Sequence, residues 1–120
     1  MMTEYRLGPI EARFADLIWA NEPIPSGMLV KLCEEKLEWK KSTTYTMLKR
    51  LCQKGLFRNE DGVVSSKLSK AEFESLQSHE FVEETFEGSL PRFIAAFTRK
   101  KKLSETEIEE LKKLIDASRR

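Results

Sequence analysis

The sequence predicts a mainly α fold with a small β-hairpin: a winged helix-turn-helix domain over residues 1–69, then a helical dimerisation region over residues 70–120. Three observations carry this reading. Three apolar-striped segments come first. An Asp-Gly pair then separates two short apolar runs, residues 56–59 and 63–66, which signals a hairpin. A phenylalanine-rich stretch with helix-capping residues fills the remainder.

Gly8-Pro9 opens the first helix, because proline costs little in a first turn where its missing N–H has no intrahelical partner. Ile10, Phe14, Leu17 and Ile18 follow at i, i+4, i+7 and i+8, which predicts one buried stripe. Asn21-Glu22-Pro23-Ile24-Pro25 breaks that helix. Ser26 is the expected N-cap of a second, with Leu29, Leu32 and Cys33 facing inward. The third helix is expected to take Ser42 as its N-cap and to stop at Gly55, a residue suited to the left-handed position after a helix. Ser69 caps a fourth helix whose apolar side includes Phe73, Leu76, Phe81 and Phe86, and Gly88-Ser89 interrupts it. Pro91 suits the first turn of a helix carrying Phe93, Ile94 and Phe97. Ser104 caps the last, with Glu107 in the capping-box position and Ile108, Leu111 and Ile115 as its stripe. Three helices followed by a hairpin is the order of a winged helix-turn-helix, in which the second and third helices read DNA and the hairpin is the wing.

The net charge of +1 conceals segregation. Residues 36–58 hold seven basic side chains against one acidic residue, Glu38, whereas residues 71–88 hold six glutamates and no lysine or arginine. A basic block of that kind suits a polyanion. No apolar run approaches the ~18 residues that span a bilayer. The opening MMTEYRLGPIEARF has no apolar signal region, so neither a signal peptide nor membrane insertion is expected. Cys33 and Cys52, the only cysteines, read as reduced core thiols of a cytoplasmic protein rather than a redox pair. One histidine (His79), no metal-spaced ligands and no glycine-rich phosphate loop leave little from which to build an enzyme, and no cofactor or metal is expected. Glu83-Glu84 and Glu109-Glu110 are adjacent carboxylates that point ~100° apart on a helix, toward solvent.

The third helix is the informative one. Ser42, Thr43, Thr44 and Thr46 are weak helix formers, so their concentration needs a reason. On a wheel stepped at ~100° per residue, Thr44, Tyr45, Leu48, Leu51 and Cys52 gather on one side. Thr43, Thr46, Arg50 and Gln53 gather on the other, with Met47 and Lys49 at the borders. The outward side carries no carboxylate. Short threonines let a helix approach a major groove closely, donate to phosphates or base edges, and offer methyls to thymine. Arg50 suits a phosphate or a guanine, while Lys40 and Lys41 stand where a helix N-terminus already favours anions.

Four phenylalanines, Phe81, Phe86, Phe93 and Phe97, lie on short, strongly amphipathic pieces. Such pieces bury their apolar faces most economically against a second copy, the alternative being that they fold back on their own domain.

At these residues the chain resembles a known family. STTYTMLKRLCQKGL is similar to the recognition-helix segment of the penicillinase and methicillin-resistance repressors, a family that includes copper-responsive repressors. The matching frame is Thr43, Thr46, Met47-Leu48, Arg50-Leu51 and Lys54-Gly55. ARFADLIWANEPIPSGML resembles that family's first two helices, and FEGSLPRFIAAF and LSETEIEELKKLI resemble its dimerisation region. The resemblance implies a homodimeric repressor on an inverted-repeat, double-stranded DNA operator. It carries a DNA-contact role onto Thr43, Thr46 and Arg50, and onto Lys40, Lys41, Ser42 and Lys49. It carries a dimer-contact role onto Phe86, Leu90, Phe93, Ile94, Phe97, Ile108, Leu111 and Ile115. Members inactivated by a membrane sensor-protease are cut at an Asn-Phe bond. Here the aligned pair is Ala96-Phe97, which lacks the asparagine and keeps the phenylalanine. The copper-responsive branch ends in paired Cys-x-Cys motifs, whereas this chain ends in Ser118-Arg119-Arg120, so metal sensing is not expected. Residues 63–66 lack the aromatics common in that strand of the wing.

A second function class stays open on the residues alone: a winged-helix module for protein contacts, with the apolar C-terminal half as its binding surface. Salt-sensitive binding to duplex DNA separates the two.

Overall fold

The computed structural model describes residues 5–119. The first residues of the segment read as lacking a signal peptide, and Arg120 at the end of the terminus read as lacking paired cysteines, lie outside them. The elements run α1 (Pro9–Asn21), β1 (Ile24–Pro25), α2 (Ser26–Leu37), α3 (Lys41–Gln53), β2 (Phe57–Glu60), β3 (Val63–Ser66), α4 (Lys70–Phe86), α5 (Leu90–Lys100) and α6 (Glu105–Ala117). This is the mainly α winged helix that the pattern predicts. The chain divides into two compact units between Glu80 and Phe81, inside α4.

In the first unit, Phe14, Ala15 and Ile18 of α1, Leu29 and Cys33 of α2, and Leu48 and Leu51 of α3 close over Leu56, which precedes β2, and over Phe57 and Val64 of the sheet. Ile10 does not join the stripe. It is 49% exposed, because the first turn of α1 runs past the edge of a core that starts at Phe14. Trp19 stacks between Phe57 and Phe73, at 5.3 and 5.6 Å between ring centroids, and its indole N–H donates to the Leu68 carbonyl at 2.9 Å. Phe73 thereby seats the start of α4, whose first turn Ser69 and Glu72 cap reciprocally at 3.0 and 2.8 Å.

The sheet has three antiparallel strands in the order β1-β3-β2. Asp61 and Gly62 form a two-residue turn with φ of 53° and 76°, the left-handed pair that a tight hairpin requires. β1 was not foreseen, since Ile24 and Pro25 sit in what reads as a helix break. Ile24 pairs with Val64, and the Ser26 N–H donates to the Gly62 carbonyl at 2.8 Å. Glu22 completes the junction by accepting from the Ser66 N–H at 2.7 Å and the Ser66 hydroxyl at 2.9 Å.

Two expected caps are corrected. Pro25, held extended by its strand pairing, is the N-cap of α2, so Ser26 is the first helical residue and its hydroxyl is used elsewhere. Lys40 is the N-cap of α3 and no side chain caps that helix; Ser42 lies one residue inside it. The Thr44 N–H and hydroxyl both donate to the Lys40 carbonyl, at 3.1 and 3.3 Å, which draws the chain into the helix before Ser42. The other end behaves as expected. Gly55 takes φ 86°, its N–H donates to Cys52 O at 3.0 Å, and Leu56 N–H donates to Leu51 O at 3.1 Å. That bond pair, with Leu56 buried beside it, is the Schellman arrangement.

In the second unit, Glu87 and Gly88 take positive φ and terminate α4. Ser89 caps α5 by accepting from the Arg92 N–H at 3.2 Å. Ser104 and Glu107 cap α6 reciprocally at 3.1 and 3.0 Å. Phe81, Phe86, Phe93 and Phe97 form a chain of mostly edge-on rings with centroids 5.6 to 6.2 Å apart. Phe81 and Phe97 nevertheless stay exposed, and neither α5 nor α6 buries a single side chain.

Candidate nucleic-acid interface

α3 is anchored from behind. Leu48, Leu51 and Thr44 are buried, and the Tyr45 hydroxyl donates to Ser26 Oγ at 3.0 Å. Thr44 is the one threonine of α3 turned inward, where its hydroxyl also interacts with the Cys33 thiol. Burial pushes that thiol above its ordinary range, and the Thr44 hydrogen bond offsets part of the rise. Cys52 is half-buried; burial raises its thiol too, with the charge of Lys67 acting in the opposite direction.

The opposite face is open. Thr43, Thr46, Lys49, Arg50 and Gln53 are all exposed, as are Lys40, Lys41 and Ser42 at the amino end. Thr43, Thr46 and Arg50 share one side of the helix, and no carboxylate occurs anywhere from Lys40 to Gln53. The helix N-terminus presents unpaired backbone N–H groups beside two lysines, which favours an anion there. The wing hairpin is less basic. Arg58 lies 3.5 Å from Glu60, and Glu60 and Asp61 stand at its tip.

Three contributors escaped the sequence pattern. Glu11 of α1 lies 3.7 Å from Arg50 Nη1 and 3.8 Å from Lys54 Nζ, and no local spacing announces a pair this far apart in the chain. Leu103 and Leu114 line an apolar groove of 430 Å³ in the second unit, together with Phe93, Ile94, Phe97 and Leu111. A hydrophobic count at α6 could have found Leu114, which is 67% exposed. The remaining dimer candidates spread over the same unit. Leu90 and Ile115 are exposed, and Phe86 and Ile108 half-buried. Ala96 and Phe97 lie in mid-α5, both exposed. Among the described residues, no cluster of His, Cys, Asp or Glu could hold a metal ion, and no helix is long and apolar enough to cross a membrane.

A helix-turn-helix backed by a three-stranded wing, with a carboxylate-free outward face on its third helix, defines a winged-helix protein of the nucleic-acid-binding class. Comparison with known proteins narrows the class. The chain belongs to the penicillinase repressor family, which it matches over residues 7–117. It is 24% identical over 116 residues to the methicillin resistance regulatory protein MecI of Staphylococcus aureus, spanning 93% of this chain and 94% of that one. It is 25% identical over 115 residues to the penicillinase repressor of Bacillus licheniformis, spanning 92% and 90%. Membership places the chain among DNA-binding transcriptional repressors.

Proposed function

We propose that the chain represses transcription as a homodimer, each copy laying the outward face of α3 in the major groove of one half of an inverted-repeat operator. The observation that carries this is the two-sidedness of α3: leucines and Thr44 hidden, Thr43, Thr46, Lys49 and Arg50 exposed, and no anion among them. Thr43 and Thr46 approach base edges, Arg50 takes a guanine or a phosphate, and Lys40, Lys41, Ser42 and Lys49 engage the backbone.

The second unit supplies the twin. α5 and α6 leave Phe97, Leu114 and Ile115 in solvent and enclose an apolar groove, a surface suited to a second copy. A membrane sensor-protease acting on this chain would cut between Ala96 and Phe97, a bond inside α5 that opens only when that helix unwinds.

A mobility-shift titration over a salt series tests the reading. A dimer with ~6–10 phosphate contacts loses on the order of 10³–10⁵ in affinity between about 50 and 200 mM salt. Absence of duplex binding at low salt would favour the protein-contact module instead.

A further inference from the structure

Arg50 does not stand free on the outward face of α3. One of its terminal nitrogens lies 3.7 Å from Glu11 Oε2, while the side chain keeps 54% of its surface in solvent. The carboxylate is itself held in place. Its Oε1 accepts from the Gly8 N–H at 3.1 Å, and Lys54 Nζ lies 3.8 Å from Oε2. Lys54 is tethered in turn, donating to the Arg6 carbonyl at 3.2 Å. Only 17% of the Glu11 side chain remains exposed. A fixed anion therefore meets one edge of a long, rotamer-rich cation.

We propose that Glu11 is a positioning residue for sequence reading: its carboxylate sets the direction in which the Arg50 guanidinium faces duplex DNA. The inference rests on the DNA-reading role given above to α3. The guanidinium has five N–H donors in a planar fork. Holding one edge against α1 leaves the others pointing outward in a restricted set of directions. A base contact then requires less ordering of the side chain, which is the usual gain from preorganisation. The same anion also weakens the pull of Arg50 and Lys54 on any phosphate that happens to pass, so it disfavours indiscriminate binding. Both effects raise the ratio of specific to non-specific affinity.

The test compares two probes at one salt concentration: a duplex that the wild-type protein selects from a randomised pool, and a scrambled duplex of equal length. In Glu11→Gln, affinity for the scrambled duplex rises and affinity for the selected one does not follow. The ratio falls about tenfold, the order expected for one degraded base contact. Glu11→Gln has no further effect on the ratio in an Arg50→Gln background. Equal shifts on both probes, leaving the ratio intact, would mean that Glu11 is only a charge near DNA and would overturn the assignment. So would a fall of the same size without Arg50. If Glu11→Gln unfolds, Arg50→Lys keeps the charge without the planar fork; an unchanged ratio there overturns the proposal equally. Failure of the wild-type protein to bind any duplex at low salt is a different result, and removes the DNA-reading role itself.

Discussion

The Tyr45 hydroxyl donates to Ser26 Oγ at 3.0 Å, joining α3 to the first residue of α2. Ser26 also donates its backbone N–H to the Gly62 carbonyl in the wing turn, so one residue links α3, α2 and the hairpin. Ser26, expected as a cap, serves as a brace.

Tyr45→Phe removes that brace and leaves the ring in place. A partly buried hydrogen bond of this kind contributes about 1 kcal/mol. Denaturant unfolding should show a loss of that size with an unchanged slope, and duplex affinity should drop less than it does for Thr46→Ala.

The two faces of α3 should separate stability from binding. Leu51 is fully buried, and Leu51→Ala should cost about 2–5 kcal/mol. Thr43→Ala and Thr46→Ala change exposed side chains and should stay within about 0.5 kcal/mol of wild type, while weakening duplex binding. Denaturation and mobility-shift curves on the same samples check both halves. A large loss of stability in Thr46→Ala would place that threonine in the core.

Much of this was legible because the deciding chemistry is local. Gly55 and Asp61-Gly62 stand where the backbone needs positive φ, and Ser69-Glu72 and Ser104-Glu107 carry both halves of a capping box within four residues. The helical period alone placed Thr44 inside and Thr43 and Thr46 outside. The failures have another character. Ser26 and Ser42 have the chemistry of caps, but Pro25 is fixed by a strand partner 38 positions on (63 − 25) and α3 begins on the Lys40 carbonyl. Glu11 meets Arg50 only because the fold brings side chains of α1 and α3 within ion-pair reach. A residue whose role depends on a distant partner leaves no mark in its own neighbourhood.

The cap of α6 predicts a pH dependence. The Ser104 backbone N–H, above all, holds the Glu107 carboxyl below its usual range. A carboxyl depressed in the folded state contributes stability above its unfolded value of about 4.3, and that contribution is lost as pH falls through the lower, folded value. Helical circular dichroism should therefore weaken on acidification below about pH 4.3. Glu107→Gln should remove that part of the titration.

The apolar surface of the second unit makes the last prediction, and it couples assembly to binding. Leu114 is 67% exposed at the rim of the groove that Phe93 and Phe97 help to line, so a charge placed there disturbs little within one chain. Between two copies it would be desolvated without a partner, which is strongly unfavourable. Sedimentation of the wild-type protein should give twice the 14.0 kDa chain mass, and Leu114→Glu should shift it toward the single chain. The α-helical signal should fall little. If α3 reads a half-site as proposed, each copy would then find its half-site alone, without the high effective concentration that a bound twin supplies, and affinity for a two-site duplex should drop by on the order of 10²-fold or more. A Leu114→Glu protein that stays dimeric would move the dimer contact off this face of α6. One that becomes monomeric yet binds a two-site duplex as tightly as wild type would show that the two half-sites are read independently.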